Sequence, residues 1–144
     1  MAKCAIISDI HGNLAALEAV LADIDAVDIR KVICLGDLVG YGPDPVACLE
    51  TMERYRVTLM GNHELALQEG GERFNARARR AIEWTANELK GSEAGAALFA
   101  QAGKLPRTHT SEGILYVHGS PLDPTNEYLL PKKSQNPAIL RDQF

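Results

Sequence analysis

Four times in this chain a short apolar run stops on a residue whose side chain can bind a metal ion. Ala5-Ile6-Ile7 ends on Ser8-Asp9-Ile10-His11, and Val32-Ile33-Cys34-Leu35 ends on Gly36-Asp37. Val57-Thr58-Leu59-Met60 ends on Gly61-Asn62-His63, and Ile114-Leu115-Tyr116-Val117 ends on His118-Gly119. Apolar runs of this length, without polar alternation, suit strands buried on both faces. Helical patterns follow the first three. Strands alternating with helices restrict the chain to an α/β arrangement, which builds its sites at the carboxyl ends of its strands.

Each end has an ordinary reading beside the chemical one. Asp9 and His11 lie in a strand-to-helix turn; if that turn is extended, residues two apart face the same side. They then hold one cation between oxygen and nitrogen, or simply hydrogen-bond to each other. Asp37 caps a turn or reaches a site. Asn62 caps the helix that follows or offers a neutral oxygen ligand. Its neighbour His63 points the other way, so one of the two can serve an ion while the other reaches a substrate. His118 closes the fourth strand, where Gly119 lets the backbone bend away. The glycines of Gly36-Asp37-Leu38-Val39-Gly40-Tyr41-Gly42-Pro43 are not a Walker loop, because no Gly-Lys-Ser/Thr follows. No Gly-x-Gly-x-x-Gly string supports a nucleotide-binding α/β domain without metals.

Between these ends the helices are legible. Asn13 caps a helix carrying Leu14, Leu17, Leu21 and Ile24 at helical spacing. A second helix runs from about Pro45 to Arg54. A third spans Asn75 to about Leu89, with Ala78, Ile82, Thr85 and Leu89 on one stripe, and a fourth spans Ser92 to Ala102 and stops at Gly103. Arg77, Arg79 and Arg80 read as a solvated face, with phosphate contact as the minority reading. His109, in the alternating Thr108-His109-Thr110, reads as a surface residue of an edge strand. Lys132–Phe144 is polar with little periodicity.

Composition bounds the rest. At 144 residues the chain is read as one domain, 1–144, able to bury roughly 68–70% of its unfolded surface. Its net charge of −4 excludes the basic footprint of a duplex nucleic-acid binder. Cys4, Cys34 and Cys48 lie within apolar patterns without Cys-x-x-Cys spacing, as reduced small hydrophobes of a cytoplasmic protein do. No run approaches a secretory core or a membrane span.

Taken together, Asp-x-His, Gly-Asp, Gly-Asn-His and His-Gly in this order resemble the calcineurin-like metallophosphoesterase family. The longer strings SDIHGN, CLGDLVGYGPDP, GNHE and VHGSP are similar to a bacterial branch of it. The resemblance runs from Lys3 to about Tyr128. It implies an α/β fold, a sandwich of two mixed β-sheets flanked by helices, with two divalent metals at the carboxyl ends of the strands. Carried over by motif, Asp9 and His11 bind the first metal, and Asn62 and His118 the second. Asp37 bridges both, one carboxylate oxygen to each. His63 contacts the phosphate and protonates the leaving oxygen. Glu64 stands where many members have Asp. The oxygen and nitrogen donors suit Mn, Fe, Zn, Ni or Mg. The implied activity is hydrolysis of phosphomono- or phosphodiesters, small molecules or nucleotides, by a hydroxide activated between the metals.

One departure stands out. The family pattern closes with a Gly-His-x-His motif that supplies one more ligand to each metal, and these 144 residues contain none. The expectation is therefore a fold incomplete at its C-terminus, with uncovered apolar sheet faces that favour self-association. The alternative function is a non-catalytic metal-binding or protein-interaction module on the same fold.

Overall fold

The computed structural model describes residues 3–143. Three apolar segments form a parallel sheet in the order β1 (Cys4–Ile7), β2 (Lys31–Cys34), β3 (Val57–Thr58). Ala5 lies opposite Val32, Ile7 opposite Cys34, and Cys34 opposite Thr58. Parallel neighbours need crossovers, and two helices supply them: α1 (Leu14–Ala26) and α2 (Pro45–Glu50). The last four residues of the expected second helix, Thr51–Arg54, tighten into a 3-10 turn. Asn13 caps α1 by accepting from the Ala16 N–H at 3.1 Å.

The two faces of the sheet enter two cores. Ala5, Ile7, Val32 and Cys34 meet Leu17, Leu21 and Ile24 of α1 and Cys48 and Leu49 of α2. Ile33 and Leu59 point the other way and pack against Tyr116. Strand β2 is thus buried on both faces, as its apolar run suggests, whereas the equally apolar β1 leaves Ile6 exposed. Tyr116 belongs to an antiparallel hairpin, β4 (Thr108–Ser111) and β5 (Ile114–Val117). Its two-residue turn places Glu112 and Gly113 at φ 54° and 77°, the left-handed pair of a type I′ hairpin. Hairpin and parallel sheet therefore enclose a small second core, and the α/β class read from the sequence is the class found.

Three further helices cover the first core: α3 (Asn62–Glu69), α4 (Ala76–Lys90) and α5 (Glu93–Ala102). The buried residues of α4 are Ala78, Ile82, Thr85 and Leu89, the stripe expected from their spacing. Asn75 caps α4 through the N–H groups of Arg77 and Ala78, and Ser92 caps α5 through Gly95. Arg77, Arg79 and Arg80 are exposed; Arg79 and Arg80 donate to the nearby carbonyls of Glu72 and Ala76. His109 lines an open cavity with Arg30, Lys31 and Arg56, at the amino ends of β2 and β3 and so away from the strand ends of interest. All three cysteines are free, and burial pushes the Cys34 thiol up to about 12.

The stretch Lys132–Phe144 holds more structure than its pattern suggests. Two short helices, α6 (Pro131–Ser134) and α7 (Pro137–Gln143), each open on a proline. The buried Gln143 donates to Glu127 at 2.9 Å and accepts from the Leu122 N–H at 3.2 Å. Phe144 lies outside the described residues. No described helix is long and apolar enough to cross a membrane.

Thr85 is fully buried on α4, and its hydroxyl has no hydrogen-bond partner among the described residues. An unpaired buried hydroxyl costs about 1–3 kcal/mol. Thr85→Val should therefore raise the urea unfolding free energy by about 1 kcal/mol. An unchanged or lowered midpoint would mean that the hydroxyl is paired.

Candidate metal centre

The chain continues past the strand ends as closely tied loops. Beyond β1, the N–H groups of Asp9, His11 and Gly12 donate to the carbonyls of Gly36, Asp37 and Leu38 at 3.1, 2.8 and 2.7 Å. This ladder holds the first turn alongside the second. The Asp9–His11 turn is not extended: Asp9 and His11 sit at φ 57° and 52°, and Asp37 beside them at φ 55°. Non-glycine residues adopt this left-handed backbone uncommonly, Asp and His more readily than most, and such strain clusters at functional sites. The two side chains still share one side. His11 Nε2 lies 3.7 Å from Asp9 Oδ1, although alternation along a strand is not the reason.

The carboxylate of Asp37 is the centre of the arrangement. It is buried, and its Oδ1 accepts from the His63 N–H at 2.9 Å. Its Oδ2 lies 3.8 Å from His11 Nε2 and 3.5 Å from His118 Nε2. The expected division, one oxygen to each metal, is not what this orientation offers: a single oxygen, Oδ2, faces both histidines. Asn62 joins from α3, with its Oδ1 2.9 Å from His118 Nε2. It does not cap that helix; Gly61 holds the cap position and Asn62 is the first helical residue. Two triplets result, His11–Asp37–His63 and Asp9–Asp37–His118. Within each, one donor atom per residue lies within 4.8 Å of the others.

The residue that assembles these parts is Glu64. It is fully buried, and its carboxylate collects four backbone donors from two loops. Oε2 accepts from Asp37 N–H at 2.7 Å and Gly61 N–H at 2.9 Å, and Oε1 from Leu38 N–H at 2.8 Å and Val39 N–H at 3.2 Å. Gly61 and Glu64 stand at the spacing of a capping box, where a Glu at the third helical position reaches back to the cap N–H. That spacing was the available sequence signal for its role. Two glycines complete the packing. A Cβ on Gly61 would overlap the Asp37 carboxylate, and one on Gly40 would overlap the His63 ring.

The site's electrostatics call for positive charge. Burial, then the charge of Asp9, holds the Asp37 carboxyl up at about 7, against the pull of the His63 N–H. Burial and the neighbouring Asp37 charge push Glu64 up, against its N–H donors. Burial, then the charges of His11 and His118, pushes the buried His63 imidazole down to about 4.

The donor set fits divalent cations. His11 Nδ1–H donates to the Val39 carbonyl at 3.1 Å, so its Nε2 presents a lone pair toward two carboxylates. Separations of 3.5–3.8 Å are too long for hydrogen bonds, yet fit two ligands each about 2.1 Å from one ion. The Nδ1 atoms of His63 and His118 are buried without partners among the described residues.

Residues 2–142 match the calcineurin-like phosphoesterase family, and the chain belongs to it. An uncharacterised protein of Methanocaldococcus jannaschii is 37% identical over 133 residues, which are 88% of this chain and 54% of that protein. The crystal structure of a metallophosphoesterase from Sphaerobacter thermophilus superposes with a TM-score of 0.70 at 38% identity. That match covers 87% of this chain and 50% of the other. The chain thus spans about half the length of these relatives.

If the Asp37 carboxylate, held up at about 7, is to bind a cation, it must first release its proton. Metal affinity should therefore rise with pH up to about 7 and then level off. Below that point Asp37 alone should weaken Mn²⁺ binding by about tenfold per pH unit. Calorimetric titrations at pH 6 and pH 8 compare the two limits. Equal dissociation constants would remove Asp37 from the ligand set.

Proposed function

We propose that this protein is a metal-dependent phosphoesterase that hydrolyses phosphomono- or phosphodiesters, with a dinuclear site centred on Asp37. The observation that carries the reading is the approach of His11 Nε2 and His118 Nε2 to one buried oxygen, Asp37 Oδ2. Asp9, His11 and Asp37 would hold one divalent cation, and Asp37, Asn62 and His118 the other. Bound there, Mn²⁺ or a similar pair would acidify a water and draw charge from the phosphoryl oxygens.

The chain's own residues divide the remaining work. Asp37 keeps the two sites together while its Oδ1 is anchored by the His63 N–H. Asn62 contributes an oxygen without adding charge, which limits repulsion beside two carboxylates. His63 faces His11 edge-to-face, with ring centroids 4.5 Å apart, so it overlooks the first cation site. Its imidazole is neutral at rest near pH 7, because burial lowers it to about 4. An anionic phosphoryl group beside the ring favours the protonated form. His63 is then able to carry a proton to the leaving oxygen once the substrate is bound.

The test compares leaving groups. Positioned acids contribute ~10²–10⁴-fold to a rate. In Mn²⁺-loaded protein, His63→Ala should lower hydrolysis of an alkyl phosphate ester by that order. It should spare a nitrophenyl ester, whose leaving group needs little protonation, and leave metal content unchanged. Equal losses on both esters would overturn the acid role, and lost metal would make His63 a ligand. A parent protein that binds Mn²⁺ yet hydrolyses neither ester would instead be the non-catalytic metal-binding or protein-interaction module.

A further inference from the structure

Two exposed tyrosines, Tyr41 and Tyr128, lie beside residues of the proposed metal centre, and neither has a role in the chemistry above. Tyr41 is 57% exposed, although its backbone sits at φ 63°. For a bulky side chain this is a genuine outlier, and strain of that kind costs of order 1–3 kcal/mol. The segment is held there from both sides. Gly42 N–H donates to the His11 carbonyl at 2.7 Å, and Gly40 must lack a side chain so that the His63 ring can pack beside it. The outcome is a phenol ring set edge-to-face against both His11 and His63, with centroids 4.9 and 4.7 Å away. Burial does not account for this placement, since more than half of the residue faces solvent.

Tyr128 lies beside Asn62 and His118. It is 63% exposed and lines, with Asn62 and His118, a cavity of about 250 Å³ beside the second proposed cation site. The same cavity is lined by Asn126 and by Thr125, a residue only 1% exposed. A pair of open aromatic rings at the mouth of a phosphate-processing centre suits a substrate with a flat π-face of its own. A sugar phosphate or an alkyl phosphate has none.

We infer that Tyr41 and Tyr128 select phosphate esters whose organic part carries a planar aromatic group, the class to which nucleotides belong, by stacking against it at the rim of the metal centre. This rests on the phosphoesterase reading and adds to it the class of substrate. Stacking on an aromatic side chain tolerates any flat base, because every base offers a π-face. Selection would therefore act on the aromatic group as such, rather than on one base.

The experiment measures binding, so it does not depend on turnover. Adenosine 5′-monophosphate and ribose 5-phosphate, which share the phosphate and the sugar, are titrated by calorimetry into Mn²⁺-loaded protein as their methylenephosphonate analogues, whose C–P bond the centre cannot hydrolyse. The parent should prefer the nucleotide by about 5- to 150-fold, the range that one stacked base supplies. Tyr41→Asn keeps a residue that tolerates the left-handed backbone and removes the π-face. It should lose most of that preference while binding ribose 5-phosphate as before, as should Tyr128→Asn to a smaller extent. Tyr41→Trp should restore it. Equal affinity of the parent for both ligands, or equal loss of both in Tyr41→Asn, would overturn the stacking and leave the phosphoesterase reading in place. Failure of both phosphates to bind would overturn the two together.

Discussion

The carboxylate of Glu64 is the interaction on which the rest of this site depends. Loops that leave the end of a parallel sheet expose N–H groups that no neighbouring strand satisfies. Here the N–H groups of Asp37, Leu38 and Val39 and that of Gly61 turn inward to one buried anion. Hydrogen bonds to a charged group contribute about 1.5–3 kcal/mol each. Burying a carboxylate costs several kcal/mol, so four such bonds are what makes the burial tolerable. One side chain on α3 thereby joins the loop after β2 to the loop after β3. It places the Asp37 carboxylate between His11 and His118, with Asn62 and His63 on the same helix.

Strain and close approach follow from that join. Asp9, His11 and Asp37 all occupy left-handed backbone, and each is of a type that tolerates it better than a branched or aromatic residue would. Gly61 gives the Asp37 carboxylate its room, and Gly40 does the same for the His63 ring. Burial first, and then the crowding of three carboxylates and three imidazoles, appears in their protonation. Asp37 and Glu64 are pushed up and His63 down to about 4. Cations held beside Asp37 would favour the ionised carboxylates that burial and crowding oppose.

Most of this arrangement was legible because the informative residues end apolar runs. Ala5-Ile6-Ile7 and Val32-Ile33-Cys34 read as strands from composition alone, so Asp9 and Asp37 could be assigned to their carboxyl ends. The stripe Ala78, Ile82, Thr85 and Leu89 was legible for the same reason, a period tied to burial. Other features depend on contacts between distant segments. Alternation along a strand gave the right side for Asp9 and His11 but the wrong backbone. The neutral Asn62 looked as much like a helix cap as a ligand. Glu64 marks an N-terminal helical turn by its spacing from Gly61, yet nothing in that spacing says that its partners include Asp37, Leu38 and Val39. Residues 131–143 lack an amphipathic period because α6 and α7 are short and mostly exposed, docked instead through polar contacts such as Gln143 to Glu127.

The central claim is that Asp37 would hold two cations at one centre. Electron paramagnetic resonance of the Mn²⁺-loaded protein, with metal quantified on the same sample, addresses it directly. Two Mn²⁺ ions held by one carboxylate would be magnetically coupled, so the account predicts two ions per chain and the spectrum of an exchange-coupled pair. One ion per chain, or two with the six-line signal of isolated Mn²⁺, would contradict it.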